Sequence, residues 1–157
     1  MNRIILEKLS QITEEERRIL DGGAVDKSLY TDGEEFTVKS SKILGYERFI
    51  EMRPHTRFTQ FPKHRHNYIE MIYSCKGKTS HLINGSSEIV LEEGEILLLG
   101  TDAVHEVGYA ETDDIAVNFI IKPAREQIII ASPSPIKNPL ISSKLIFLFL
   151  SFIFLCC

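Results

Sequence analysis

Residues 61–77, FPKHRHNYIEMIYSCKG, place two histidines and a glutamate in one short apolar run. Side chains alternate between the two faces of a β-strand, so residues of equal parity share a face. His64, His66, Tyr68 and Glu70 are therefore expected to point the same way if the strand has no bulge. Two imidazoles and a carboxylate at this spacing can converge on one point inside a barrel. The stretch predicts a metal site, a ligand pocket or simply the polar interior of a small barrel.

Composition narrows the class of protein. The chain has 157 residues, 43% of them hydrophobic and 25% charged, which is the balance of one globular domain. A net charge of −4 gives no general reason to bind nucleic acid. The cysteines, Cys75 and the terminal pair Cys156 and Cys157, form no disulfide framework, and acidic residues interrupt the N-terminal apolar residues where a secretory signal would lie. These features predict a cytoplasmic protein.

The N-terminal segment has a helical pattern. Residues 3–20 carry apolar side chains spaced for one helix face. Thr13 to Glu16 form a capping-box pattern, which predicts that a second helix begins there, and Gly22-Gly23 is expected to stop it. The apolar face would pack against the rest of the domain or form a dimerisation surface.

After Asp32-Gly33 the pattern changes to short strands separated by turns. Asn84-Gly85 lies between two of them and predicts a hairpin, which Ser86-Ser87 would lengthen. Many short strands with regular turns indicate a sandwich or a barrel. The predicted strands are Glu35–Val38, Ile43–Met52, Tyr68–Ser74, Thr79–Ile83, Glu88–Leu91, Glu95–Leu99 and Ile115–Ile121.

Two motifs resemble those of the cupin superfamily. The spacing His64-x-His66-x3-Glu70-x6-Gly77 resembles the first cupin motif, and Gly94 to His105 resembles the second, ending on its histidine. The second motif departs from the usual pattern at Gly100, Asp102 and Tyr109, where Pro, Gly and Asn are usual. This resemblance implies a mainly β protein with a cupin-like double-stranded β-helix (jelly-roll) barrel and a short N-terminal helical segment.

A narrower resemblance covers residues 43–123, about half of the chain. The segments HLINGSSEIVLEEGEILLLG, AVHEV and DDIAVNFIIKP, together with the first motif, are similar to the N-terminal effector-sensing domains of AraC-family transcriptional regulators. That likeness implies a domain that binds a small effector, often a sugar or related metabolite, and forms a homodimer. DNA would be bound only through a helix-turn-helix domain, which this chain lacks.

The chain is therefore expected to comprise a helical arm at 1–33, a cupin barrel at 34–123 and an unrelated tail at 124–157. The tail contains the linker-like Ser132-Pro133-Ser134-Pro135 and ends in an apolar run from Leu145. A shifted or truncated reading frame is one interpretation of this tail. A membrane anchor is the other, although the run is short for a span and has few basic flanking residues.

The resemblance assigns roles to particular side chains. As a metal site, His64, His66, Glu70 and His105 would hold Zn, Fe, Mn or Ni. As an effector pocket that requires no cofactor, His64, His66, Tyr68, Glu70 and His105 would hydrogen bond to hydroxyl or carboxylate groups. In a third interpretation these residues bind neither a metal nor an effector. His64 and His66 then lie in solvent at the barrel mouth, and Glu70 is hydrogen bonded to a neighbouring backbone amide or histidine.

Other polar residues are assigned simpler roles. The basic residues of this region are predicted to form a solvent-exposed edge of the domain: Arg53, Arg57, Lys63 and Arg65. Alternatively, Arg57 or Arg65 contacts an anionic effector. His55 and His81 fall outside the motif spacing and are expected at the surface or in turns. Cys75 is expected to be a small buried hydrophobic residue.

Two functions follow from the sequence. The first is the effector-binding and dimerisation domain of an AraC-type regulator without its DNA-binding half. The second is a metal-dependent cupin enzyme, a dioxygenase or isomerase acting on a small metabolite.

Overall fold

The computed structural model describes residues 3–45, 48–101 and 103–123. Two helices, α1 (Arg3–Leu9) and α2 (Glu14–Leu20), come first, and a third short helix, α3 (Ser40–Ile43), follows the first strand. The strands within these described residues are β1 (Thr37–Val38), β2 (Ile50–Pro54), β3 (Phe61–His66), β4 (Ile69–Lys76), β5 (Lys78–Ile83), β6 (Ser87–Glu92), β7 (Ile96–Leu99), β8 (Val104–Val107) and β9 (Ile115–Ile121).

The strands form two sheets that enclose a common interior. The five-stranded sheet has the order β1-β3-β8-β5-β6, and the four-stranded sheet has the order β2-β9-β4-β7. Apart from the parallel β1-β3 contact, the paired strands are antiparallel. Ile72, Leu91, Leu99 and Ala116 form one core cluster between the sheets. The predicted mainly β, jelly-roll architecture is confirmed.

The helical arm is fixed to the barrel by a buried ion pair. The capping box at Thr13 and Glu16 is present and begins α2, as predicted. The Arg57 guanidinium donates to Glu16 Oε1 at 2.7 Å and to Oε2 at 3.1 Å, and both side chains are almost inaccessible to solvent. Leu9 of α1 packs against Cys75, Ile115 and Val117. The arm thus packs against the barrel along its apolar face.

The turns that separate the strands behave largely as predicted. Asn84 and Gly85 adopt φ of 52° and 70°, and β5 pairs with β6 from Ile83 opposite Ser87, so the loop is longer than two residues. Gly77 has φ of 68°, and a Cβ there would lie 2.9 Å from the carbonyl oxygen of Asp113. A side chain at this position would be strained both by its backbone and by this contact.

The predicted strand Tyr68–Ser74 corresponds to β4, but the assumption that it continues back to His64 was wrong. Asn67 and Tyr68 separate β3 in one sheet from β4 in the other. The predicted strand at Ile43–Met52 is also incorrect: Ile43 ends α3 and the strand begins only at Ile50. Ile43 and Leu44 instead pack against the cluster of Tyr30, Val38, Tyr68 and Ile120, and this packing overrides their preference for a strand.

The predicted tail at 124–157 lies outside the described residues. Within the part of the chain that the structure describes, no helix is long and apolar enough to cross a membrane.

Candidate functional site

The predicted site residues come from two facing sheets. His64 and His66 lie on β3 and His105 on β8 of the five-stranded sheet, with His64 paired directly opposite His105. Glu70 lies on β4 of the four-stranded sheet. All four side chains are buried, each less than 8% exposed, which excludes the interpretation that His64 and His66 lie in solvent at the barrel mouth. The two sheets thus bring the imidazoles and the carboxylate together in the interior.

Three of these residues form a compact ligand set. Glu70 Oε2 lies 3.6 Å from His66 Nε2 and 3.5 Å from His105 Nε2, and the three ligand atoms all lie within 4.8 Å of one another. None of the three atoms has a hydrogen-bond partner among the described residues. Bonds of about 2.1 Å to a tetrahedral ion separate neighbouring ligand atoms by about 3.4 Å. The three atoms could therefore hold a divalent metal ion.

Hydrogen bonds orient the imidazoles of β3. His66 Nδ1 lies 2.6 Å from the carbonyl oxygen of Tyr68, and His64 Nδ1 lies 2.8 Å from that of Pro62. A carbonyl oxygen only accepts, so each Nδ1 carries the proton in the neutral ring and each Nε2 keeps its lone pair. His66 Nε2 can thus act as a ligand. His64 packs on His105 with ring centres 4.1 Å apart but lies outside the three-residue set, and its metal role remains a prediction.

His55 and His81 were wrongly expected at the surface or in turns. His55 is 5% exposed and His81 is 1% exposed, and their ring centres lie 5.8 Å apart. His81 also stacks 6.4 Å from His105. All five histidines of the chain are consequently buried in the barrel. His81 lies on β5 two residues after Thr79, and both side chains are buried. Because side chains alternate along a strand, the predicted strand from Thr79 could have shown that these two residues share a face.

Asn118 on β9 is a site residue that the sequence reasoning missed. Its Nδ2 donates to Glu70 Oε1 at 2.9 Å, and its Oδ1 lies 2.9 Å from His55 Nδ1. With Nδ2 as the donor, Oδ1 must accept, so His55 Nδ1 donates to it. This chain of hydrogen bonds fixes one oxygen of Glu70 and leaves the other facing His66 and His105.

Burial keeps the cluster close to electrically neutral. Desolvation lowers the pKa of His64 to about 4, that of His81 to about 3 and that of His105 to about 2. Desolvation raises the pKa of Glu70 to about 7, against the lowering effects of the Asn118 hydrogen bond and the Arg53 charge. Neutral imidazoles are the form that binds metal ions and accepts hydrogen bonds.

A cavity of about 50 Å³ adjoins the cluster. Tyr68 is buried, stacks on His66 with ring centres 4.5 Å apart, and lines this cavity, as the ligand-pocket prediction requires. The polar side chains on the wall include Tyr30, Arg53, His55, His64, Tyr68, Glu70, His105 and Asn118.

The basic residues of the first motif do not form one solvated edge. Lys63 and Arg65 are exposed as predicted, but Arg57 is buried in its contact with Glu16, and Arg53 is half-buried on the cavity wall. The Arg57 guanidinium already donates hydrogen bonds to Glu16 and to backbone carbonyl oxygens, so it is not placed to contact an effector. Cys75 is buried, as expected.

The sequence matches one known family model. Residues 47–124 match the family model described as the AraC-like ligand binding domain. A search of curated proteins found no match.

Three of the solved structures that are similar to this chain illustrate the range of identity and coverage. KdgF from Halomonas sp. is 14% identical with a TM-score of 0.39, and the match covers 52% of this chain and 87% of that one. An RmlC-like cupin from Shewanella frigidimarina is 20% identical with a TM-score of 0.42, covering 53% and 74%. An RmlC-like cupin family protein from Methanocaldococcus jannaschii is 22% identical with a TM-score of 0.38, covering 46% and 66%.

The motif residues, the two facing sheets and the family match thus lead to one assignment. Residues 47–124 form an AraC-like ligand-binding domain of the cupin type.

Proposed function

We propose that this domain binds a small-molecule effector in the cavity between its two sheets. The observation that supports the proposal is a set of buried polar atoms that have no partner among the described residues: His55 Nε2, His66 Nε2, Glu70 Oε2, His81 Nδ1 and both ring nitrogens of His105. His55, Glu70 and His105 of this set line the cavity. Buried polar groups are normally hydrogen bonded, and leaving one unpaired costs about 1–3 kcal/mol. A bound effector with hydroxyl or carboxylate groups would satisfy several of these atoms. His64, His66, Tyr68, Glu70 and His105 are the proposed contacts.

In this proposal the response to the effector is a change in the helical arm or in a homodimer surface. Binding would shift an equilibrium between two conformations by its preference for one of them. Arg57 joins the arm to the barrel, because it lies just beyond β2 and contacts Glu16 of α2. In this proposal the protein acts in the cytoplasm, and DNA would be bound through a helix-turn-helix domain rather than through the barrel.

Thermal unfolding in the presence of sugars and small organic acids tests effector binding. We expect at least one class to raise the melting temperature of the wild-type protein but not that of His105→Phe, which fills part of the cavity wall. Arg65→Gln, an exposed change on the same sheet, is the matched control and should respond like the wild type. If no compound of either class stabilises the wild type, the proposed function is wrong.

The second candidate function is a metal-dependent cupin enzyme, and the arrangement of His66, Glu70 and His105 favours it. A divalent ion held there would act as a Lewis acid toward an oxygen of a bound metabolite. These three residues would hold the ion, and the Asn118 hydrogen bond would orient Glu70.

Metal analysis of protein purified without added metal distinguishes the two candidates. Stoichiometric Zn, Fe, Mn or Ni that is lost in the double variant His64→Ala/His66→Ala would favour the enzyme. Absence of metal, together with stabilisation by a sugar or an organic acid, would favour the sensor.

A further inference from the structure

Arg53 on β2 is the cationic side chain on the cavity wall. It pairs in register with Asn118, whose side chain reaches Glu70 in the barrel interior. The Arg53 guanidinium lies 5.6 Å from the centre of the Tyr30 ring, which supports it from one side by a cation–π contact. Arg53 thus places a positive charge beside the cavity.

The arginines of the described residues, Arg53 included, separate into two groups. Five of them form an ion pair with a carboxylate within 4.0 Å: Arg3, Arg17, Arg18, Arg48 and Arg57. Arg53 and Arg65 have no such partner within the described part of the chain. Arg65 is exposed to water on β3, whereas Arg53 is half-buried. Arg53 is therefore the arginine for which a missing counter-ion matters most.

The two carboxyl groups that contact the neighbours of Arg53, Asn118 and Tyr30, are hydrogen bonded to those residues and form no ion pair with Arg53. Glu70 gives one oxygen to Asn118 and turns the other toward His66 and His105. Glu15 accepts the Tyr30 hydroxyl at 2.6–2.7 Å. A partly desolvated guanidinium gains most from a carboxylate, which it can bind through two parallel hydrogen bonds.

The size of the cavity limits the ligand. Its volume of about 50 Å³ lies far below the ~300–1,000 Å³ of pockets that bury drug-sized ligands. A molecule of a few heavy atoms fits this space, whereas a hexose would require the cavity to widen. The wall otherwise offers imidazole nitrogens, which suit a hydroxyl or a second oxygen of the same ligand.

We propose that the effector is a small organic carboxylate, with two to four carbons, whose carboxylate group pairs with Arg53. This inference rests on the proposed effector-binding function and names the chemical class of its ligand. Arg53 would select for the anion, and the histidines with Tyr68 would contact the remainder of the molecule.

Calorimetric titration with matched acids and amides tests the proposal. The probes are sodium lactate and sodium acetate against lactamide and acetamide, at constant ionic strength. The wild type should bind the acids at least about tenfold more tightly than their amides, because only the acids can pair with the guanidinium. Equal affinity for an acid and its amide, or no binding of either acid, overturns the proposal.

Variants assign the selectivity to one residue. Arg53→Gln should weaken lactate binding about tenfold or more and leave lactamide unchanged, while Arg53→Lys should retain part of the preference because it keeps the charge. Arg65→Gln is the control and should bind lactate like the wild type. Unchanged lactate affinity in Arg53→Gln contradicts the proposal. If Arg53→Gln fails to fold, the acid-to-amide ratio of the wild type and of Arg53→Lys decides the question.

The same titrations separate this inference from the function on which it rests. If an amide binds, or a neutral sugar raises the melting temperature, while neither acid binds, the carboxylate assignment is wrong and effector binding stands. If neither acids nor amides bind and no sugar or organic acid raises the melting temperature, both are wrong.

Discussion

Polar side chains are buried in two regions of the molecule. One is the joint between the helical arm and the barrel, where Arg57 contacts Glu16, and the other is the barrel interior. The two regions differ in how many of their buried polar atoms have a hydrogen-bond partner. At the joint, Arg57 donates to both oxygens of Glu16 and to the carbonyl oxygens of Ser10, Gln11 and Thr112. In the interior, the ligand atoms of His66, Glu70 and His105 have no partner among the described residues. A satisfied buried cluster needs nothing further, whereas an unsatisfied one is suited to a ligand. The joint is accordingly structural and the interior is the candidate site.

The largest expected effect comes from breaking the joint. Arg57→Met leaves Glu16 buried without its partner and should reduce the free energy of unfolding by about 3–5 kcal/mol, as measured by urea denaturation. The double variant Glu16→Gln/Arg57→Met should lose less than the sum of the single changes, because it removes both charges and leaves none buried without a partner. Arg65→Gln should be nearly neutral. A loss below about 1 kcal/mol in Arg57→Met would mean that the joint is not structural.

Acid should destabilise the interior before it affects the joint. The folded pKa of His64 is about 4, below the unfolded value near 6.5, so the unfolded state binds the proton first as the pH falls. Stability is thus fully present above pH 6.5 and is lost progressively between pH 6.5 and 4, by an amount on the order of 3 kcal/mol for this histidine. Urea denaturation of chelator-treated protein between pH 7.5 and 4.5 measures the loss.

Two carboxyl groups provide the controls for this pH dependence. The raised pKa of Glu70, about 7, acts in the opposite direction, because it favours the folded state as the pH falls from 7 to about 4.5. Glu70→Gln removes that contribution and should steepen the loss. Burial raises the pKa of Glu16, but its hydrogen bonds outweigh that effect and lower it, so the joint should weaken only below about pH 4.5. Constant stability from pH 7.5 to 5 in Glu70→Gln would contradict this account.

Zinc should stabilise the interior and leave the joint unaffected. A ligand present at 100 times its dissociation constant adds about 2.7 kcal/mol to the free energy of unfolding. We expect a gain of this size when Zn²⁺ is added at that excess to chelator-treated wild-type protein, and no gain in His66→Ala/His105→Ala. Arg57→Met should gain as much as the wild type if enough of it remains folded. Equal stabilisation of the histidine double variant would place the zinc elsewhere.

The smallest expected effect concerns Asn118. The Asn118 hydrogen bond lowers the pKa of Glu70 against the larger effect of burial, so Asn118→Ala should raise that pKa further above about 7. Carbon-13 NMR of the Glu70 carboxyl group measures the change, and Asn67→Ala, an exposed change, is the control. An unchanged or lowered pKa would show that Asn118 does not hold this carboxylate.

The sequence predicted the central residues of the site better than it predicted the strands that carry them. Parity correctly placed His64, His66 and Glu70 in the interior, although the strand breaks at Asn67 and Tyr68. The prediction holds because the break between β3 and β4 is two residues long, so even-numbered residues still share a direction on both strands. Since the two sheets face each other, these residues all point into the barrel. His105 could be included only through the resemblance, since no local pattern relates it to β3.

The remaining site residues depended on information that local patterns do not contain. The strand predicted to end at Met52 continues to Pro54, which carries Arg53 to the cavity wall and His55 to the interior. Asn118 could have been predicted more readily from the sequence. The strand β9 was predicted correctly, and it places Asn118 on the same face as Ala116 and Ile120. An amide among apolar inward residues indicates a polar partner across the interior.

The most direct test of the account is the imidazole nitrogen-15 NMR spectrum of the five histidines, recorded on chelator-treated protein before and after addition of Zn²⁺ and, separately, of lactate. If the unsatisfied interior is the ligand site, the Nε2 signals of His66 and His105 shift with at least one ligand, while the Arg57 guanidinium signal at the joint stays unchanged. If both ligands leave all five histidines unmoved, the interior is not a ligand site and the central claim is wrong.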